Sequence, residues 1–154
     1  MDVAIMFSGG KDSTFAVEYA LSKGYNIKYL LSVKPSRRDC YLFHYATVEW
    51  TGDIAKALNL PHVLVGCDVA DVAKEAEIVR KVVEDNPVDA VILGGIGLQE
   101  TQIKAVRDAL FSLGIEVFAA HAGLDHGDLT EAMIKKGYKI IVTEIAADGF
   151  NESW

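Results

Sequence analysis

Cysteine is scarce: two residues, Cys40 and Cys67, in 154. Two thiols cannot build a disulfide framework, and neither belongs to a Cys-x-x-Cys pair. They are expected as small, reduced, partly buried side chains in a reducing, cytoplasmic compartment. Basic charge is also short, 15 Lys and Arg against 22 Asp and Glu, a net charge of −7. That balance disfavours a broad nucleic-acid footprint, while a local basic cluster stays open. No uninterrupted apolar run approaches the roughly 18 residues of a membrane span, so no membrane partner is expected. The opening Met1-Asp2-Val3 lacks the basic and apolar stretches of a signal peptide. No repeat, low-complexity tract or Ser/Pro-rich linker divides the chain, and its length implies a single domain over residues 1–154.

Apolar residues, 51% of the chain, are grouped. Short runs at Val3–Phe7, Ile27–Val33, Val63–Val65, Val88–Leu93, Ile115–Ala119 and Tyr138–Ile145 read as strands. Between them lie segments of helical period. Ala16, Val17, Ala20 and Leu21 share one face, as do Ile54, Ala55 and Leu58. Val69, Val72, Ala73, Ala76, Val79 and Val83 recur at spacings of three and four, followed by Ile103, Val106, Leu110 and Leu113. Asp128 and Glu131 have the spacing of a capping box ahead of Leu129, Ala132 and Met133. Strand–helix alternation with nearly continuous Val/Ile/Leu strands predicts an α/β fold: a doubly wound parallel sheet of five to six strands, with helices on both faces.

Ligands in such sheets bind beyond the carboxyl ends of the strands. The segments at that edge are Ser8–Ser13, Lys34–Thr47, Gly66–Asp68, Gly94–Gln102, Ala120–His126 and Ala146–Trp154. They carry His44, His121 and His126, whose spacing fits no zinc template. The sharpest signal is Ser8-Gly9-Gly10-Lys11-Asp12-Ser13, directly after the first strand and opening the first helix. Gly9 and Gly10 permit positive φ and remove Cβ atoms that would block a ligand. Successive backbone N–H groups can then converge on an anion at the helix N-terminus. Ser8 and Ser13 add hydroxyls and Lys11 a mobile positive charge. Asp12 would repel phosphate unless it caps the helix or holds a magnesium ion. A Walker A loop is excluded, because its required positions carry Ile5 and Asp12. A dinucleotide fingerprint fails here, and again at Gly95-Ile96-Gly97, where Glu100 replaces the last glycine.

Ser8–Ser13 resembles the Ser-Gly-Gly-x-Asp-Ser loop of the PP-loop ATP pyrophosphatases, which bind ATP on a doubly wound sheet of the adenine nucleotide alpha hydrolase type. That superfamily cleaves ATP between the α and β phosphates. Asp148-Gly149-Phe150-Asn151-Glu152-Ser153-Trp154 is similar to the Asp-Gly-Leu-(Asp/Asn)-Glu-Ser-Trp segment of the diphthine–ammonia ligase family, the N-type members. The likeness extends through Tyr41-Leu42-Phe43-His44, through Gly94-Gly95 with Gln102, and through Met133–Tyr138. It implies an AMP-forming ligase that adenylates the carboxyl group of diphthine, a modified histidine on translation elongation factor 2, for amidation by ammonia. By the same likeness, Ser8, Gly9, Gly10, Lys11, Asp12 and Ser13 would bind Mg-ATP, with Asp12 on the metal. His44, Gly94, Gly95 and Gln102 would surround the nucleotide or acyl group. Lys11 and Asp12 would also serve the chemistry, with Asn151 and Glu152 facing the substrate or ammonia.

The chain departs from the family at several points. Tyr45-Ala46-Thr47 stands where Thr-Pro-Asn usually follows the histidine. Thr101 and Ala105 replace a Tyr and an Arg around Gln102, and a Trp usual after the fifth strand is replaced near His121. Longer relatives continue beyond Trp154 into a portion that helps hold the protein substrate. Two other functions stay open at this level. One is a sulfur-transferring RNA modifier, for which Cys40 beside Arg37 and Arg38 is the pointer. The other is a nucleotide-binding module without catalysis. Apolar sheet edges leave room for a homo-oligomer without choosing an interface.

Overall fold

Five of the apolar runs form strands. In the computed structural model, residues 1–37, 42–43, 48–94 and 100–142 are described. The elements alternate as the sequence pattern predicts: β1 (Asp2–Met6), α1 (Lys11–Ser22), β2 (Asn26–Pro35), α2 (Thr51–Ala57), β3 (His62–Cys67), α3 (Val72–Asp85), β4 (Ala90–Leu93), α4 (Glu100–Leu110), β5 (Glu116–Ala119) and α5 (His126–Lys135). All strand pairs are parallel, in the order β3-β2-β1-β4-β5.

The central runs are mostly apolar because they are buried on both faces. Val3, Ile5 and Phe7 pack with Ala16, Val17 and Ala20 of α1 and Ala55 of α2 on one side of the sheet. Ala4, Leu31 and Val91 pack with Val79, Val82 and Val83 of α3 and Val106 and Leu110 of α4 on the other. The period-two alternation of a strand thus persists, with apolar residues in both registers. Just beyond α5, Lys136 and Tyr138 both hydrogen-bond the Glu18 carboxylate of α1. Those two bonds hold Glu18 below the usual carboxylate range, and burial together with Glu18 pushes the Tyr138 phenol up to about 12.

The order fixes where a ligand can sit. From β1 the chain steps outward through β2 to β3 and then crosses back to β4 on the other side of β1. The reversal leaves a crevice at the carboxyl ends of β1 and β4. Ser8–Gly10 and Gly94 emerge at that point.

Three details differ from the sequence expectations. The α5 N-cap is Asp125, whose carboxylate accepts the Gly127 and Asp128 N–H groups, so Asp128 lies in the first turn. The helix α3 starts at Val72, after the Asp71 cap, leaving Val69 outside. Residues 138–142 of the expected sixth strand form no ladder, and Ile141 is 82% exposed. Residues 143–145 lie outside the described set. Among the described residues, no helix is long and apolar enough to cross a membrane.

One buried polar knot ties β1, β2 and β3. Ser32 Oγ donates to the Phe7 carbonyl at 2.6 Å, and His62 Nε2 lies 2.9 Å from the same hydroxyl. Since the hydroxyl proton is committed to Phe7, His62 supplies the Nε2–H as a donor. Burial holds the His62 pKa below its ordinary value of 6.5. The unfolded chain therefore takes up this proton at higher pH than the folded chain. The His62 contribution to stability is complete above about pH 6.5 and is lost as pH falls through the lower folded value. A melting series from pH 8 to pH 5 should show a flatter profile for His62→Gln than for the unaltered chain. Parallel profiles would remove His62 from the acid response.

Candidate functional site: a glycine-rich loop beside an apolar cleft

Helix α1 opens without a side-chain cap. Its N-cap is Gly10, in an extended conformation (φ −81°, ψ 173°), which supplies no side-chain cap hydrogen bond. The first turn of the helix therefore brings the positive end of its dipole to the crevice without a capping carboxylate or hydroxyl at the N-cap. Only Gly9 of the two loop glycines uses the left-handed region (φ 79°), so the positive φ expected at Gly10 is not found. Gly10 serves otherwise. Its carbonyl accepts from Ser13 Oγ and Thr14 Oγ1, both at 3.0 Å, and its N–H donates to Ser8 Oγ at 3.4 Å. The Ser8 and Ser13 hydroxyls stand 3.4 Å apart, bringing both ends of the loop together.

Gly94 closes the other side. A Cβ added there would lie 2.5 Å from the Asp12 carbonyl oxygen and 2.5 Å from Ser13 Cα. The β4 exit and the start of α1 thus meet backbone to backbone, which only glycine allows.

Charge is concentrated on Lys11 and Asp12. Lys11 Nζ lies 2.8 and 2.9 Å from the two Asp12 carboxylate oxygens and 3.2 Å from His126 Nε2. Both partners of the ion pair are about one quarter exposed, so an incoming anion can reach the ammonium. Below them His121 is fully buried, its ring 4.5 Å from that of Phe15 and its Nε2 4.0 Å from Asp12 Oδ1. Neither His121 ring nitrogen has a hydrogen-bond partner among the described residues. Burial pushes its pKa down, while the nearby Asp12 charge and a weak approach to the Asp12 backbone pull the other way.

Beside the loop lies a small cleft with an interior volume of about 80 Å³. Phe7, Leu31 and Val33 from the sheet, Leu42 and Phe43 from the segment after β2, and Leu93 and Val106 give it apolar walls. Ser8, Ser13, Gly94 and Gln102 form its polar end. Gln102 Nε2 donates to the Leu42 carbonyl at 2.7 Å, and Glu75 Oε2 accepts the Leu42 N–H at 2.6 Å. Those two bonds fix the Leu42–Phe43 wall against α4 and α3.

A family model described as diphthamide synthase N-terminal domain matches residues 1–116. The chain belongs to that family. A diphthine–ammonia ligase of Mus musculus is 24% identical over 172 aligned positions, covering 98% of this chain and 64% of the mouse protein. One from Danio rerio is 26% identical over 98% of this chain and 67% of its own length. The human ligase is 23% identical over 98% of this chain and 64% of its own length. This member of the diphthamide synthase family therefore spans about two thirds of the length of those ligases.

Of the residues singled out by sequence, Ser8, Gly9, Gly10, Lys11, Asp12, Ser13, Gly94 and Gln102 lie together at the crevice. His44, Gly95, Asn151 and Glu152 fall outside the described residues. Sequence reasoning passed over Glu75 and its bond to Leu42, and the contact of His126 with Lys11. It placed His121 on the ligand edge without finding its approach to Asp12. The position of each histidine after β5 was the available signal. No group of three or more His, Cys, Asp and Glu side chains gathers as a metal cage among the described residues. Asp12 with the oxygens of a polyphosphate suits magnesium, which usually takes one or two carboxylates, phosphates and water.

Proposed function

We propose that the chain binds Mg-ATP at the Ser8–Ser13 loop and activates a carboxylate for amidation by ammonia, releasing AMP and pyrophosphate. The observation that carries this reading is the uncapped N-terminus of α1. It faces the strand-order reversal with Ser8, Ser13 and Lys11 around it, in a chain whose relatives are named diphthine–ammonia ligases. Diphthine on elongation factor 2 is the carboxylate that those names favour.

In this reading the helix N–H groups and the two serine hydroxyls hold the β and γ phosphates, and Lys11 leaves Asp12 to meet them. A magnesium ion on Asp12 would supply charge neutralisation for the departing pyrophosphate. The cleft behind the loop takes the adenosine between Leu31, Val33 and the Leu42–Phe43 wall. A substrate carboxylate oxygen attacks the α phosphorus, and the bond to the bridging oxygen breaks with its electron pair leaving on pyrophosphate. Ammonia then attacks the acyl carbon, AMP departs and a proton is lost to solvent, giving the amide. The loop contributes mostly alignment and charge placement.

Incubation with Mg-ATP, ammonium and a diphthine-bearing elongation factor should yield AMP and pyrophosphate in equal amounts. ADP as product would overturn the assignment. Binding without turnover would favour a nucleotide-binding module. Lys11→Ala should weaken nucleotide binding about tenfold or more, the scale of one lost charged phosphate contact. Glu152→Ala should bind nucleotide normally and lose turnover, and unchanged turnover would take Glu152 out of the mechanism.

A further inference from the structure

His121 is an unusual group for the place it occupies. Its side chain is fully buried, yet neither ring nitrogen makes a well-formed hydrogen bond among the described residues, the Asp12 backbone offering only a weak approach. An unsatisfied buried polar group costs stability, and an apolar side chain of similar shape would avoid that cost. One face of the ring is fixed by Phe15 at 4.5 Å. Its Nε2 stands 4.0 Å from Asp12 Oδ1, about one ångström beyond a hydrogen bond. Asp12 is meanwhile turned toward Lys11, which holds both of its oxygens, and Lys11 is held in turn by His126. The Asp12 carboxylate thus has one partner engaged and a second waiting behind it.

We propose that His121 is the positioning residue for Asp12: when a magnesium-bound triphosphate draws Lys11 away, the imidazole Nε2–H takes over the carboxylate and holds it toward the divalent cation. The inference rests on the nucleotide reading above. It needs a neutral donor, so no change of protonation is involved. Carboxylates that ligate metals are commonly oriented by such a hydrogen bond, whose loss weakens metal affinity by about 10–100-fold. The same exchange explains why an ion pair can occupy an anion site without blocking it. Lys11 is released only when phosphate oxygens replace Asp12, and Asp12 does not then remain as an uncompensated charge.

Titration calorimetry with a non-hydrolysable ATP analogue, at magnesium concentrations from zero to saturation, tests the proposal. His121→Leu should raise the magnesium needed for half-maximal strengthening of analogue binding about tenfold. Its magnesium-free affinity should stay within about twofold of the unaltered chain. His121→Gln, which carries an N–H at a similar reach, should restore most of the magnesium response. Equal weakening with and without magnesium, or a lower melting temperature with an unchanged magnesium requirement, would overturn the proposal and leave His121 a packing residue. No analogue binding by the unaltered chain at any magnesium concentration would instead overturn the nucleotide reading, and this inference with it. Should His121→Leu not fold, ring ¹⁵N NMR of the unaltered protein decides. The His121 Nε2–H signal must move when magnesium and analogue are added together and stay in place with analogue alone.

Discussion

Gly94→Ala should lose nucleotide affinity by about 100-fold and lower thermal stability at the same time. The added methyl would meet three backbone atoms: the Asp12 carbonyl oxygen at 2.5 Å, Ser13 Cα at 2.5 Å and the Asp12 carbonyl carbon at 2.6 Å. Ordinary carbon contacts lie near 3.5–4.0 Å. No side-chain rotation relieves such a clash, so the first turn of α1 must retreat from β4 by about an ångström. Overpacking of this kind costs typically about 1–3 kcal/mol. The retreat also carries Lys11, Asp12 and Ser13 out of register with Ser8, and a misplacement of about 1 Å in a positioned site can cost about 100-fold. Gly66→Ala is the matching control. That residue sits exposed on the edge strand β3, with nothing within 4 Å of an added Cβ. Chemical denaturation and calorimetry on both variants decide the matter. A Gly94→Ala protein with unaltered midpoint and affinity would mean that the contact between β4 and α1 yields without consequence.

The parts of this architecture that were legible in the sequence are those set by local rules. Strands buried on both faces must be apolar in both registers, so β1 and β4 stand out as unbroken runs, while β2 is interrupted at Lys28 and Ser32. The Ser8–Ser13 loop is legible for a similar reason, because a strand-to-helix turn that exposes helix N–H groups needs its small residues consecutively. What was not legible depends on distant partners. Residues 138–142 have β-branched side chains at Ile140, Ile141 and Val142, yet form no ladder. Strand propensity records fit to a neighbouring strand more than a backbone preference. The α5 cap was misread because Asp125 and Asp128 both precede a helical period, and the choice lies in backbone dihedrals. The contact of His126 with Lys11 spans 115 residues of sequence, and the bond of Glu75 to Leu42 spans 33. Nothing in either local pattern announces them.

Glu75 leads to the second large effect. It lies in the first turn of α3, where a carboxylate complements the helix dipole, and it is completely buried. Its Oε2 accepts the Leu42 N–H at 2.6 Å, while Gln102 on α4 donates to the carbonyl of the same residue at 2.7 Å. Two helices on one face of the sheet therefore grip a single peptide segment from opposite sides. That segment presents Leu42 and Phe43 to the cleft. Glu75→Ala removes a charge-assisted hydrogen bond, strands a buried N–H and opens space under the wall. Together these should cost about 3 kcal/mol, or roughly 6–12 °C in melting temperature for a chain of this size. Glu75→Gln retains an acceptor of the same reach and should cost about 1 kcal/mol, the difference between a charged and a neutral bond. Gln102→Ala releases only the second tie, so it should weaken nucleotide binding several-fold with a smaller change in midpoint. The ordering separates a grip on the cleft wall from general packing. If Glu75→Ala melts with the unaltered chain, or Glu75→Gln falls as far as Glu75→Ala, the wall is held by something other than this carboxylate. If stability falls while nucleotide affinity of the folded protein holds, the Leu42–Phe43 segment is not part of the binding surface.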